Sequence, residues 1–138
     1  LTKEGGASKS FHSGLVVYSD EMKKKLLNIS QETIESEGAV SEAVVREMAR
    51  NALSMCSANY VIAVTGIAGP EGGTKEKPVG TVWLCWGTEQ KLKSCCLFWP
   101  LERTLFQTLI AASGLDLIRR HINNLDPLPN YLMQKVID

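Results

Sequence analysis

Residues 65–80 constrain this chain more than any other stretch. They read Thr-Gly-Ile-Ala-Gly-Pro-Glu-Gly-Gly-Thr-Lys-Glu-Lys-Pro-Val-Gly, with five glycines and two prolines in sixteen positions. The apolar run Tyr60–Val64 leads directly into them, and Thr81–Trp86 follows directly after. A strand that enters a long glycine loop and returns as a strand leaves backbone N–H groups that no ladder uses. Glycine lets an anion approach such groups closely. A plain connector is the alternative, but two points favour a ligand cradle. Long irregular loops in compact domains tend to be functional, and a loop after a fully apolar strand stands at the sheet end where ligands sit in open α/β folds. Neither common phosphate fingerprint fits. No Gly-x-Gly-x-x-Gly opens a helix, and Gly69–Thr74 lacks the Lys-Ser/Thr ending of a P-loop. A dinucleotide fold and a nucleoside triphosphatase are thereby excluded.

The rest of the chain supplies layers around that loop. Ser41 caps the clearest helix, in which Val44, Val45, Met48, Ala49, Ala52, Leu53 and Cys56 recur at helical spacing opposite Glu42, Arg46, Glu47 and Arg50. Ser19 caps a shorter helix running to about Leu27, with Asp20 and Glu21 at the positive dipole end. Another short helix runs from Ser30 to near Gly38. His12–Tyr18 reads as a strand centred on Leu15-Val16-Val17. Lys91–Phe98 reads as a strand joined to Thr81–Trp86 by the polar turn Gly87–Gln90, hence an antiparallel hairpin. A long helix follows from about Glu102 to Asn123, with Arg119, Arg120 and His121 at its C-terminal end. Asp126-Pro127-Leu128-Pro129 stops any continuation, so 124–138 is expected as a tail. Strands alternating with helices give an α/β fold: a three-layer α/β/α sandwich around a mixed sheet, in one domain over 1–138.

Composition narrows the partners. Fifteen basic and fifteen acidic side chains cancel, so no strong field draws the chain to nucleic acid or an anionic membrane. No apolar run approaches the ~20 residues needed to span a bilayer. The four cysteines lack metal-ligand spacing and the two histidines stand far apart, so neither metal nor cofactor is expected. The cysteines read as small buried hydrophobes of a reducing cytoplasm, with Cys95 and Cys96 on opposite faces of one strand. The chain opens on Leu1, and Leu1–Ser10 has no initiation or targeting character. The expectation is a cytoplasmic protein whose sequence begins inside a longer natural domain.

Three strings are recognisable. Thr65-Gly66-Ile67-Ala68-Gly69-Pro70, Gly72-Gly73-Thr74 and Glu76-Lys77-Pro78-Val79-Gly80-Thr81-Val82 together resemble the signature of the CinA C-terminal domain family. So do Leu1-Thr2, Gly6-Ala7-Ser8, Phe11, Gly14 and Tyr18-Ser19 upstream, and Gly38–Glu42. The resemblance runs from Leu1 to about Thr81 and resumes at Gln107–Ala112. It implies a nicotinamide-nucleotide amidase that hydrolyses the carboxamide of nicotinamide mononucleotide to nicotinic acid mononucleotide and ammonia. The implied fold agrees with the three-layer reading, and a homo-oligomer, often a dimer, is implied as well. The implied chemistry is that of a serine amidase with a lysine partner. Tyr18-Ser19-Asp20-Glu21-Met22-Lys23 matches the motif that carries the lysine, so Lys23 takes the base position beside Tyr18. A lysine early in a helix and partly buried has its charged form disfavoured, as a base requires. Gly66, Ile67, Ala68, Gly69, Pro70, Gly72, Gly73 and Thr74 take the substrate-binding role.

The chain departs from the family pattern twice. The serine-bearing segment that would precede Leu1 is not in this sequence, so the nucleophile is expected to be absent from these residues; Ser8, Ser10 and Ser19 are weak substitutes. The first strand and helix of the fold would be absent with it, and loss of that central strand would expose a sheet edge. The family's phosphate-holding arginine aligns with Leu101, and Arg103 stands two residues on as its replacement. Two functions follow: an amidase of this type, or a non-catalytic relative that binds a nucleotide or a protein partner. A purely structural interaction domain is a third reading, resting on the sheet edge alone.

Overall fold

A computed structural model describes residues 1–3 and 5–137; Glu4 and Asp138 lie outside the described residues. The elements run α1 (Asp20–Leu27), α2 (Gln31–Glu37), α3 (Glu42–Cys56), β1 (Val61–Gly66), β2 (Thr81–Thr88), β3 (Lys91–Phe98), α4 (Arg103–Ile122) and α5 (Asn130–Met133), after a 3-10 turn at Ala7–Lys9. Each of the first three helices starts where its serine cap places it. The hydroxyls of Ser19, Ser30 and Ser41 accept from the N–H groups of Met22, Thr33 and Val44, satisfying donors that a helix start leaves open. Glu102 does the same for α4, accepting from Thr104 and Leu105. Those two N–H groups hold its carboxyl below the usual carboxylate range.

The sheet has three strands in the order β1-β2-β3. β1 pairs antiparallel with β2, Ala63 opposite Cys85, and β2 with β3, Leu84 opposite Cys95. Period-two alternation along β2 then divides the core into two. Val82, Leu84 and Trp86 face α4 and join Cys95, Leu97, Phe106, Ile110, Leu117 and Leu132. Cys85 joins Ala63 in the other cluster, where α3 supplies Val44, Val45, Met48 and Ala49 and the α1 side supplies Val17, Leu27 and Ile29. Helices thus cover both faces, the three-layer α/β/α sandwich that the periodicities predict. Cys95 lies in the α4-side core while Cys96 stands opposite Trp83, which packs on the α3 side. Small residues let α4 approach the sheet closely: a Cβ on Gly114 would stand 3.2 Å from Ile62 Cγ2.

Two expectations need correction. His12–Tyr18 has no regular secondary structure and pairs with no strand among the described residues. Val17 alone of its apolar residues is buried; Leu15 and Val16 are exposed. β-branched composition favours an extended backbone, but pairing depends on tertiary neighbours. The segment is anchored at its ends instead, by Ser13 Oγ against Cys56 Sγ at 2.9 Å and by the Ser19 cap. Among the described residues the sheet pairing is accordingly antiparallel, and no strand covers the outer edge of β1. The second correction concerns the expected tail. Residues 124–137 are docked: Leu132 is fully buried in the α4-side core. Phe98 N–H donates to Lys135 O at 2.8 Å and Ile137 N–H to Cys96 O at 3.1 Å, so this segment covers part of the outer edge of β3. Two residues of α4 fasten it: Asp116 accepts from Tyr131 Oη at 2.9 Å, and Arg120, itself bonded to Asp116, donates to Asp126 O at 3.0 Å. Among the described residues no helix is long and apolar enough to cross a membrane.

Candidate functional site

At the end of β1, where the chain leaves the sheet, lies a cleft of about 570 Å³. The glycine loop forms one wall through Gly66, Ile67, Ala68, Gly69, Glu71 and Gly72. The first two turns of α4 form the other through Arg103, Phe106, Gln107, Ile110 and Ala111. Tyr18 stands at the rim, and Val64 and Val82 lie at the floor's sheet side. The interior is mostly apolar with a few polar groups at its edge, the usual constitution of a small-molecule site.

The loop takes its shape from both chain direction and packing. Ile67 N–H donates to Thr81 O at 2.9 Å and Gly80 N–H to Ile67 O at 2.8 Å, so the two ends stay joined like a continued ladder. Gly69 has φ +74°, and a Cβ there would lie 2.5 Å from Val79 Cγ1. Both the conformation and the space require glycine. Further along, Thr74 N–H donates to Lys77 O at 2.9 Å, and the Lys77 ammonium reaches Glu37 O at 2.6 Å. That bond ties the loop's far limb to the end of α2. The described residues supply no acceptor for the backbone N–H groups of Ala68, Gly69, Glu71 and Gly72. These are the free donors the loop composition implies.

Arg103 joins the two walls. It is the first residue of α4, placed by the Glu102 cap. Its Nη1 donates to Gly69 O at 2.7 Å and its Nη2 to Tyr18 Oη at 3.3 Å. Three residues singled out from sequence, far apart in the chain, therefore meet at one guanidinium. Leu101 packs against the α4-side core, so the cation available to the cleft is Arg103. Glu71 is the carboxylate among the lining residues.

Other expected site residues stand elsewhere. Lys23 is buried on α1, and its Nζ donates to Asp20 Oδ1 at 2.8 Å; it is not among the cleft's lining residues. Pro70 is exposed and Gly73 backs onto Val79, while the Thr74 hydroxyl accepts from Lys77 N–H at 3.0 Å. These shape the loop without lining the cleft. Ser19 is spent on its cap, and no serine, threonine or cysteine side chain lines the cleft. Gln107 and Glu71 do line it, although neither stands out from sequence. Gln107 carries a usable signal, since it follows Arg103 by four residues and so shares its helix face. Among the described residues no group of three or more His, Cys, Asp or Glu converges as a metal site needs.

Comparison with known proteins gives a consistent result. The sequence model of the CinA C-terminal domain matches residues 1–122. A CinA-like protein of Colwellia psychrerythraea is 47% identical over 135 residues, covering 98% of this chain and 31% of its own length. One from Shewanella sediminis is 43% identical over 123 residues, covering 88% of this chain and 29% of its own. The chain thus spans about a third of the length of these curated relatives. Among solved structures, the competence/damage inducible protein CihA from Agrobacterium tumefaciens superposes with a TM-score of 0.79 at 34% identity, over 83% of this chain and 71% of that one. A CinA superfamily protein from Klebsiella pneumoniae gives 0.71 at 33% identity, over 75% of this chain and 64% of that one.

Proposed function

The chain belongs to the CinA C-terminal domain family, and from that membership we propose that the cleft binds a pyridine mononucleotide whose carboxamide is hydrolysed. The amide C–N bond breaks, water supplies hydroxyl to the acyl carbon, and the nitrogen leaves as ammonia. The observation that carries this reading is the convergence of Tyr18, the glycine loop and Arg103 on one cleft. An apolar slot floored by Val82, Phe106 and Ile110 suits a flat ring. The Arg103 guanidinium and the free loop N–H groups suit an anionic phosphate. A nucleophile attacks the carboxamide carbon, and N–H donors not engaged by the phosphate stabilise the oxyanion that develops.

Lys23 takes the proton-accepting role in this reading, with Tyr18 as the neighbouring group that touches the cleft. Its amine must then leave Asp20 and turn towards Tyr18. A homodimer belongs to the same reading, because Leu105, Leu115 and Ile122 lie exposed along one broad stripe of α4.

One observation favours a second reading, a domain that binds a nucleotide without turning it over: the Lys23 ammonium is held by Asp20 at 2.8 Å and is not among the cleft's lining groups. The two readings separate in a single assay. Purified protein is incubated with nicotinamide mononucleotide, and both ammonia and bound nucleotide are measured. Ammonia release that Lys23→Ala abolishes supports the amidase. Binding without release supports the second reading, and absence of binding refutes both.

A further inference from the structure

We propose that Gln107 reads the carboxamide itself, making the cleft selective for an amide-bearing ligand over the corresponding acid. The inference rests on the cleft being a pyridine-mononucleotide site. Its ground is the division of polar groups around the lining. Arg103 offers only donors, and two of them are already engaged by Gly69 O and Tyr18 Oη. Glu71 offers only acceptors. Gln107 is the one lining side chain with an amide, so it alone presents an N–H donor and a carbonyl acceptor side by side. No described residue hydrogen-bonds that amide, although other polar side chains of α4 such as Thr108, Ser113 and Asp116 have partners.

Position supports the chemistry. Gln107 comes one turn after Arg103, so the two side chains leave the same helix face about 6 Å apart. An anion held by Arg103 and the loop therefore leaves the rest of the ligand within reach of Gln107. A primary carboxamide pairs with glutamine through two complementary bonds, its oxygen accepting from Nε2 and its nitrogen donating to Oε1. A carboxylate accepts from Nε2 but turns a second oxygen towards Oε1, where no proton is available. Glu71 acts in the same direction, because a second carboxylate in one cleft is disfavoured by like charge.

The test is calorimetric binding of nicotinamide mononucleotide and nicotinic acid mononucleotide to the full chain, with three substitutions at a position exposed enough to tolerate them. The wild-type chain is expected to prefer the amide by roughly five- to tenfold. In Gln107→Leu the two ligands should bind within about twofold of each other. In Gln107→Arg the preference should invert towards the acid, which a merely structural role does not explain. Gln107→Glu should retain amide binding and weaken the acid further. An amide-to-acid ratio that is unchanged across these variants overturns the role of Gln107 while leaving the nucleotide site standing. If neither ligand binds the wild-type chain, the reading of the cleft fails and this inference falls with it.

Discussion

Replacing Arg103 with alanine should both loosen the cleft and weaken anion binding, by amounts the geometry sets separately. The bond to Gly69 O is short at 2.7 Å and reaches a buried residue. A hydrogen bond from a charged donor contributes ~1.5–3 kcal/mol. The bond to Tyr18 Oη is longer, 3.3 Å, and exposed, so it adds no more than about 0.5 kcal/mol. Arg103 is itself half-buried, and discounting for that leaves a stability loss of about 1–2 kcal/mol. In a domain of this size that is a fall in Tm of roughly 5 °C. Ligand affinity should respond more. Losing one charge-assisted contact to a phosphate raises Kd by roughly 10- to 150-fold. Arg103→Lys keeps the charge but not the planar fork, so it should recover less than half of that loss. Thermal melts and calorimetric titration with nicotinamide mononucleotide, on all three proteins, give the two quantities. A lower Tm with unchanged affinity would show that Arg103 is only a strut between α4 and the loop, and the assignment of the cleft's cation would be wrong.

Leu132→Ala removes a fully buried side chain from the α4-side core and should cost about 3 kcal/mol, whereas Met133→Ala, at a position 57% exposed, should change stability by less than ~0.5 kcal/mol; denaturant titration of both checks that the C-terminal segment is integral. Asp116 is lowered below the ordinary carboxylate range: burial works against this, but hydrogen bonds from Arg119, Tyr131 and Arg120 outweigh it. Its contribution is therefore present above pH ~4 and is lost as pH falls through the lower folded value. Asp116→Asn should flatten that part of the stability profile, and an unaltered acid limb counts against the clasp. Burial pushes the Cys85 thiol up to about 11 and the Cys95 thiol up to about 12, so a thiol reagent at neutral pH should label Cys56, the least buried of the four, and spare these two; mass spectrometry of labelled peptides decides it.

Sequence patterns revealed the parts whose burial is one-sided. The helix from Ser41 shows its stripe because Val44, Val45, Met48 and Ala49 all face the sheet. The hairpin of β2 and β3 is legible for a different reason: both its faces are covered, so β2 in particular is a nearly unbroken apolar run bounded by a polar turn. The glycine loop also shows its role, since Gly69 needs both a positive φ and the space of a missing Cβ. Where reading failed, the deciding contact was remote. Leu132 stands beside Tyr131 and Met133, both exposed, and nothing local shows which of the three a core cavity receives. Leu15 and Val16 look like strand residues, but whether a strand forms there depends on a pairing edge elsewhere. Lys23 illustrates a third limit: its motif places it near Tyr18 in the chain, while its rotamer and the Asp20 carboxylate fix where the ammonium points. The cleft's far wall was hidden because α4 is apolar on several sides, which masks the face that carries Gln107.

The proposed ligand site joins the glycine loop to the first turns of α4. Two-dimensional amide NMR spectra recorded while nicotinamide mononucleotide is added test this most directly. Resonances of Ala68, Gly69 and Gly72 should move together with those of Arg103 and Gln107, along one saturation curve, while residues of the Asn59–Tyr60 and Glu89–Gln90 end of the sheet stay still. Shifts confined to that opposite end, or none at saturating ligand, would contradict the claim.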